Sequence, residues 1–293
     1  MYDQISANKR KTIGLMFGFF VLVGALAWIL ASVYGNDQML VIAAVFAVGY
    51  SLWGFFASSR LALTVNGAKE IQKSDDPRLW RIVENLAITD GLPMPKVYIM
   101  EDPALNAFAT GRDPAHASVA ITTGLLNVLD DTEVQGVMAH ELGHVKNYDI
   151  RVSMLAFALV GVVSLICDIF LRISFWGGGD DDNNSGNNVL MILSIVALIL
   201  APIVATLMQL AISRKREYLA DATGALTTRY PEGLASALEK IRDNGSVMRK
   251  QNTSTAHLFI ANPIKKGAIS GLLSTHPPID ERIRILRGMI GAK

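Results

Sequence analysis

His140-Glu141-Leu142-Gly143-His144 places two imidazoles four residues apart, with a carboxylate directly after the first. On a helix, positions i and i+4 share one face, so both rings can reach a single zinc ion. Glu141 is turned by about 100° from His140. Its carboxylate then lies beside that ion, where it can take a proton from a polarised water. The chemistry this pattern points to is hydrolysis assisted by one zinc per chain. Gly143 weakens the helix that must carry the motif, which implies a neighbour packed too close for a larger residue.

Such a site needs a third protein ligand and keeps its fourth position for water. His116, His257, His276 and the acids compete for the role. Glu217 leads, because Glu217 and Asp221 again stand at i and i+4, and Asp221 can then accept the free N–H of a ligand imidazole. The same two acids also fit an exposed pair balanced by Arg214 or Lys215. His116 and His257 have no supporting spacing and read as structural or surface residues. His276, fixed ahead of Pro277-Pro278, and Arg282 are candidates for donating to an oxyanion. Asn106-Ala107-Phe108-Ala109 fits an edge strand that pairs with an extended substrate, and equally an ordinary strand with Phe108 in the core.

The elements that must position these residues follow from pattern. The two histidines ride a helix predicted over Asp130–Tyr148, with Asp130 as N-cap and Glu133 as its capping-box partner. Asp76–Asp90 is predicted helical, with Pro77 in its first turn and a stripe of Leu79, Ile82, Val83, Leu86 and Ala87. Pro231–Asn244 and Pro278–Met289 are two further helices. Lys96–Met100, Asn106–Thr110 and Ser118–Thr122 are short strands, the last two joined by the turn Gly111-Arg112-Asp113-Pro114. Their order predicts a small antiparallel sheet.

Composition adds the setting. Lys+Arg number 27 against 26 Asp+Glu, a net charge of +1, which argues against a nucleic-acid partner. A single Cys permits no internal disulfide. Apolar residues make up 51% and charged residues 18%, against about 25% charged in soluble domains. The excess lies in four blocks, Ile13–Val33, Met39–Phe56, Val152–Cys167 with its extension to Leu171, and Val189–Ile212. Each approaches the length of about 20 apolar residues that a bilayer requires. The first is too long for a signal peptide's apolar core and reads as an uncleaved anchor.

Lys and Arg mark the inner side of a membrane. They cluster at Lys9-Arg10-Lys11, again from Arg60 to Arg81, and at Arg214-Lys215-Arg216, while 34–38 has none and 172–188 carries Asp180-Asp181-Asp182. The organisation is therefore a cytosolic tail at 1–12, a transmembrane hairpin at 13–56, a first catalytic segment at 57–151, a second hairpin at 152–212 with a flexible outer loop at 172–188, and a second catalytic segment at 213–293. The two polar segments together form one domain of about 170 residues. The charges flanking the two histidines, from Asp130 to Glu133 and from Lys146 to Arg151, keep that helix out of the bilayer. A non-proteolytic membrane scaffold or metal-binding transporter is the rival. It fits poorly, because Asp168 is the sole charge within the blocks.

The motifs His140-Glu141-Leu142-Gly143-His144 and Arg216-Glu217-Tyr218-Leu219-Ala220-Asp221, with Asn106-Ala107-Phe108-Ala109 and Ser274-Thr275-His276-Pro277 followed by Arg282, resemble the HtpX family of membrane-bound zinc endopeptidases. That family is related to the CAAX prenyl endopeptidases. The resemblance runs over essentially the whole chain. It implies a mostly α, four-span membrane protein with a split, gluzincin-like zinc protease domain and a small β-sheet. It implies His140, His144 and Glu217 as zinc ligands, Glu141 as general base and Asp221 as the acid behind the ligands. It also implies polypeptide substrates, mainly membrane proteins, a quality-control role, and a multi-pass place in the cell membrane with the site and both termini cytosolic.

Overall fold

The computed structural model describes residues 8, 10, 12–18, 20, 21, 24, 28, 38–159, 161, 214–245, 247–250, 255–263 and 277–290. In chain order the labelled elements are α1 (Gln38–Val65), β1 (Ala68–Glu70), α2 (Pro77–Asp90), β2 (Lys96–Met100), β3 (Ala107–Gly111), β4 (Ala117–Thr122), α3 (Thr123–Val128), α4 (Asp131–Lys146), α5 (Arg214–Thr228), α6 (Pro231–Asn244) and α7 (Ile279–Ile290). Residues 12–18 and 149–159 are also helical. The protein is mostly α with one small sheet.

The helix boundaries follow from their caps. Asp76 accepts the Leu79 N–H at 2.9 Å and opens α2. Asp130 accepts the Thr132 and Glu133 N–H groups at 2.8 and 3.0 Å, and Glu133 returns an oxygen to the Asp130 N–H at 2.9 Å. This reciprocal box satisfies donors that the first turn of α4 leaves open.

The sheet departs from the antiparallel expectation. It has four strands in the order β1-β2-β4-β3. The β3–β4 hairpin is antiparallel as its turn demands, but β2 pairs with β4 in parallel. β4 therefore lies between β2 and β3, and β3 takes the edge. The extra strand β1 is three residues long and pairs antiparallel with β2.

One core joins these layers. Leu79, Val83, Val119, Ile121, Met138 and Leu142 are among its members, so the inner faces of α2, the sheet and α4 share it. A second cluster gathers Leu15 with Val152, Leu155 and Leu159, against which Tyr50 and Phe55 pack. The helix at 149–159, α1 and the N-terminal helical residues therefore lie side by side. On the outer face of α1, Val41, Val45, Val48, Leu52 and Phe56 are exposed at helical spacing. Among the residues described throughout, no helix is long and apolar enough to count as a membrane span; several α1 side chains between 39 and 51 are outside the description. The outer loop 172–188 and the fourth block, Val189–Ile212, lie outside the described residues.

Candidate metal centre

Helix α4 runs through the middle of the domain with α5 and α6 packed on it. The approach at the site is close because small residues face each other. A Cβ on Gly143 would meet the Ala220 backbone at 3.3 Å, and one on Gly224 would meet the His140 backbone nitrogen at 3.0 Å. The neighbour that Gly143 implied is thus α5, the helix that carries Glu217 and Asp221.

The result is convergence. His140 Nε2 lies 3.2 Å from His144 Nε2. Glu217 places Oε1 3.4 Å from His144 Nε2 and Oε2 3.8 Å from His140 Nε2. One ligand atom from each residue falls within 4.8 Å of the others, so these three form a candidate metal site. Metal–ligand bonds of about 2.0–2.1 Å in a tetrahedral zinc site set its ligand atoms about 3.3 Å apart; the His140–His144 and Glu217–His144 spacings are near this, and the Glu217–His140 spacing is wider. Donor chemistry agrees too, since two imidazoles and a carboxylate form a zinc-type set.

Each imidazole is held from behind. His140 Nδ1 faces Asp221 Oδ1 at 2.9 Å, and His144 Nδ1 faces Asp149 Oδ2 at 3.1 Å. If each Nδ1–H donates to its carboxylate, each Nε2 presents a lone pair to the site. Arg282 donates Nε and Nη2 to Asp221 at 2.9 and 2.7 Å. Arg282, expected as an oxyanion donor, is placed behind the histidines, with Nη1 also 3.6 Å from Glu217 Oε2. Its guanidinium is buried, bidentate on Asp221, and does not line the cavity at the site. It fixes the acid that fixes His140.

The electrostatics follow from burial and neighbours. Burial raises the Glu141 carboxyl, the positive His144 and Arg282 oppose it, Glu217 adds to it, and the net value is about 7. Burial disfavours charge on His144, but the carboxylates of Asp149, Glu217 and Glu141 outweigh it and lift the imidazole to about 9, so a metal bound at Nε2 would displace a proton from this ring. Burial also works against ionised Asp221, yet Arg282 and His140 hold it down at about 2. For His140 burial wins, and its pKa is lowered.

Other predicted site residues fall elsewhere. Asn106, Ala107 and Phe108 do lie at the start of the edge strand, but their outer side is taken by the chain itself. Phe108 bridges Phe259, the Ile260 N–H donates to the Ala107 carbonyl at 3.0 Å, and Asn106 binds the Ala261 backbone through both ends of its amide. Phe108 is fully buried, its ring edge-on to Phe259 with centroids 4.9 Å apart. An extended substrate at these three residues is therefore not what the structure supports. Ala109, the next residue, lines the cavity. His116 pairs with Asp113 at the hairpin turn, 2.7 Å away. His257 is buried and lines the cavity with Ile260, a place that no spacing signalled. His276 lies outside the described residues.

Asp149 also went unsignalled. It follows His144 by five residues, off any helical face. The contact exists because the chain breaks at Tyr148, whose φ is 60°. That left-handed backbone turns Asp149 back beneath the ring.

A mostly helical frame that sets His-Glu-x-x-His against a glutamate of a neighbouring helix defines a metalloprotease. The comparisons agree. The model for peptidase family M48 matches residues 73–290. A protein named Protease HtpX homolog from Tropheryma whipplei is 53% identical over 289 residues, covering 99% of this chain and 98% of the relative. One of the same name from Listeria monocytogenes is 44% identical over 303 residues, covering 99% and 100%. The crystal structure of S. mikatae Ste24p shares the fold, with a TM-score of 0.53 at 20% identity, covering 98% of this chain and 67% of that one. The chain belongs to peptidase family M48, and the resemblance to the HtpX family is borne out along its length.

Proposed function

We propose that this protein is a membrane-anchored zinc endopeptidase that cuts cytosol-facing segments of membrane proteins, acting on damaged or misfolded ones. The observation that carries the catalytic part is the convergence of His140, His144 and Glu217 beside a buried Glu141. Zinc held there would polarise a scissile carbonyl and acidify a bound water. Glu141, buried beside these three residues, would serve as the general base toward water and return the proton to the leaving amine. Asp221 and Asp149 keep the two imidazoles aimed.

The membrane part is supported by the four apolar blocks, the alternating Lys/Arg pattern and the exposed valines and phenylalanine on α1. The block boundary Val152 follows His144 by eight residues and Ile212 precedes Glu217 by five, so the site stands close in sequence to both assigned membrane boundaries. Such a site meets chains as they leave the membrane. The quality-control role rests on the likeness to the HtpX family.

The test uses purified full-length protein in liposomes with a model substrate bearing one unstructured segment, either attached to a transmembrane helix or released from it. The anchored form is expected to be cut faster, and a zinc chelator to stop both reactions. Equal cutting of both forms would remove the membrane-substrate assignment, and chelator-resistant cutting the metal assignment.

A further inference from the structure

Asn8 belongs to the short tail ahead of the first apolar block, far in sequence from the histidines. Yet its side chain is buried at 2% exposure. Its amide nitrogen donates to the Asn147 carbonyl at 2.8 Å and to Asp149 Oδ1 at 2.8 Å. The other oxygen, Asp149 Oδ2, faces His144 Nδ1. The carboxylate is thus divided, one oxygen to the tail and one to the imidazole.

We propose that Asn8 is a positioning residue of the metal centre, holding Asp149 so that Asp149 holds His144. This rests on the zinc-peptidase reading above. Three observations carry it. First, an amide NH2 has two donors, and both find buried acceptors here, one on each side of the Tyr148 break. Asn8 therefore pins the two ends of a turn whose left-handed residue is unfavourable by itself. Second, Asp149 has another suitor. Arg216 Nε lies 3.8 Å from Oδ1, the same oxygen that Asn8 occupies. With Asn8 in place, the carboxylate does not swing toward that guanidinium and away from His144. Third, the tail is anchored rather than loosely laid. Leu15, just past the tail in the first apolar block, packs into the cluster of Val152, Leu155 and Leu159, while the Thr12 hydroxyl donates to the Asn8 carbonyl one helical turn back at 2.9 Å. The tail and the helix at 149–159 leave the site together, side by side. The seating of the N-terminal segment is thereby coupled to the aim of a metal ligand.

The experiment uses the full-length chain in detergent. Zinc affinity is measured by competition with a chromophoric chelator for wild type, Asn8→Ala, Asp149→Asn and the double variant. Asp149→Asn is expected to weaken zinc by about 10–100-fold. Asn8→Ala should weaken it by about fivefold, the scale of one hydrogen bond. In the Asp149→Asn background the same change should alter affinity by less than about twofold, because Asn8 acts through Asp149. Wild-type affinity in Asn8→Ala would overturn the proposal, as would an equal loss in both backgrounds. A readout independent of Asp149→Asn folding comes from the cobalt(II) form by NMR. Asn8→Ala should shift or lose the exchangeable His144 ring N–H signal and leave that of His140 in place. Two unchanged signals would also overturn it. Failure of wild type to bind zinc, or undiminished binding by His140→Ala, would instead remove the underlying metal assignment.

Discussion

Glu217 faces both histidines and, at 3.6 Å, the Arg282 guanidinium. A carboxylate there supplies negative charge to a metal, whereas an amide supplies far less. Glu217→Gln should therefore weaken zinc strongly, and Asp221→Asn more mildly, by about 10–100-fold. His276→Ala should leave zinc affinity near that of wild type. Chelator competition on the three variants checks this, and loss of zinc in His276→Ala with retention in Glu217→Gln would exchange the third ligand. At this scale the sequence was informative wherever residues shared a helix. His140 with His144, and Glu217 with Asp221, are both i, i+4 pairs, and their facing sides follow from helical geometry. Two partners from outside these helices were hidden. Asp149 reaches His144 only through the turn at Tyr148, and Asn8 comes from the opposite end of the chain. Arg282 was picked out as a site residue, but its bond is to Asp221, and sequence spacing cannot show which acid an arginine meets.

Helix α4 depends on its N-terminal cap for its start and on glycines for its fit. The lowered pKa of Asp130 comes first from the Thr132 hydroxyl and then from the Glu133 N–H. A carboxylate whose folded pKa is depressed contributes stability above its usual value of about 3.9 and loses it as pH falls through the lower folded value. Asp130→Ala should thus cost about 1 kcal/mol at neutral pH, and the gap to wild type should close in acid below about pH 4. Thermal unfolding across pH measures both. The cap and the helix were legible because Asp130 and Glu133 satisfy a local rule. The sheet was less so. Strand positions came out to within a residue, but the parallel pairing of β2 with β4 is a tertiary choice, which sets β4 between β2 and β3. Ala68-Lys69-Glu70 carries no strand pattern at all, and β2 recruits it by pairing.

For the molecule as a whole, charge and hydropathy set the expected arrangement: tail, hairpin, catalytic segment, hairpin, catalytic segment, with the polar parts on the cytosolic side. The clusters Lys9-Arg10-Lys11 and Arg214-Lys215-Arg216 each border an apolar block on the side assigned to the cytosol. Single cysteines at positions 135, 184 and 266 in a Cys167→Ser background test this. In intact cells an impermeant thiol reagent should label only the cysteine replacing Asn184. Labelling of the one replacing Lys266 would contradict the assigned orientation. What composition could not convey is that the halves of the catalytic unit meet through α4 and α5, and that the tail joins them at Asp149.

The central claim is that a metal held by this chain works with Glu141 to cut peptide bonds. The most direct measurement compares wild type and Glu141→Gln, both purified in full length and assayed for zinc content and for cleavage of a model membrane substrate. Glu141 is buried beside the candidate ligands without being one of them. The variant should therefore hold zinc at the wild-type ratio of one per chain and fall in turnover by at least about 100-fold, the low end of a general base's contribution. Near-wild-type turnover in the zinc-loaded variant would contradict the account.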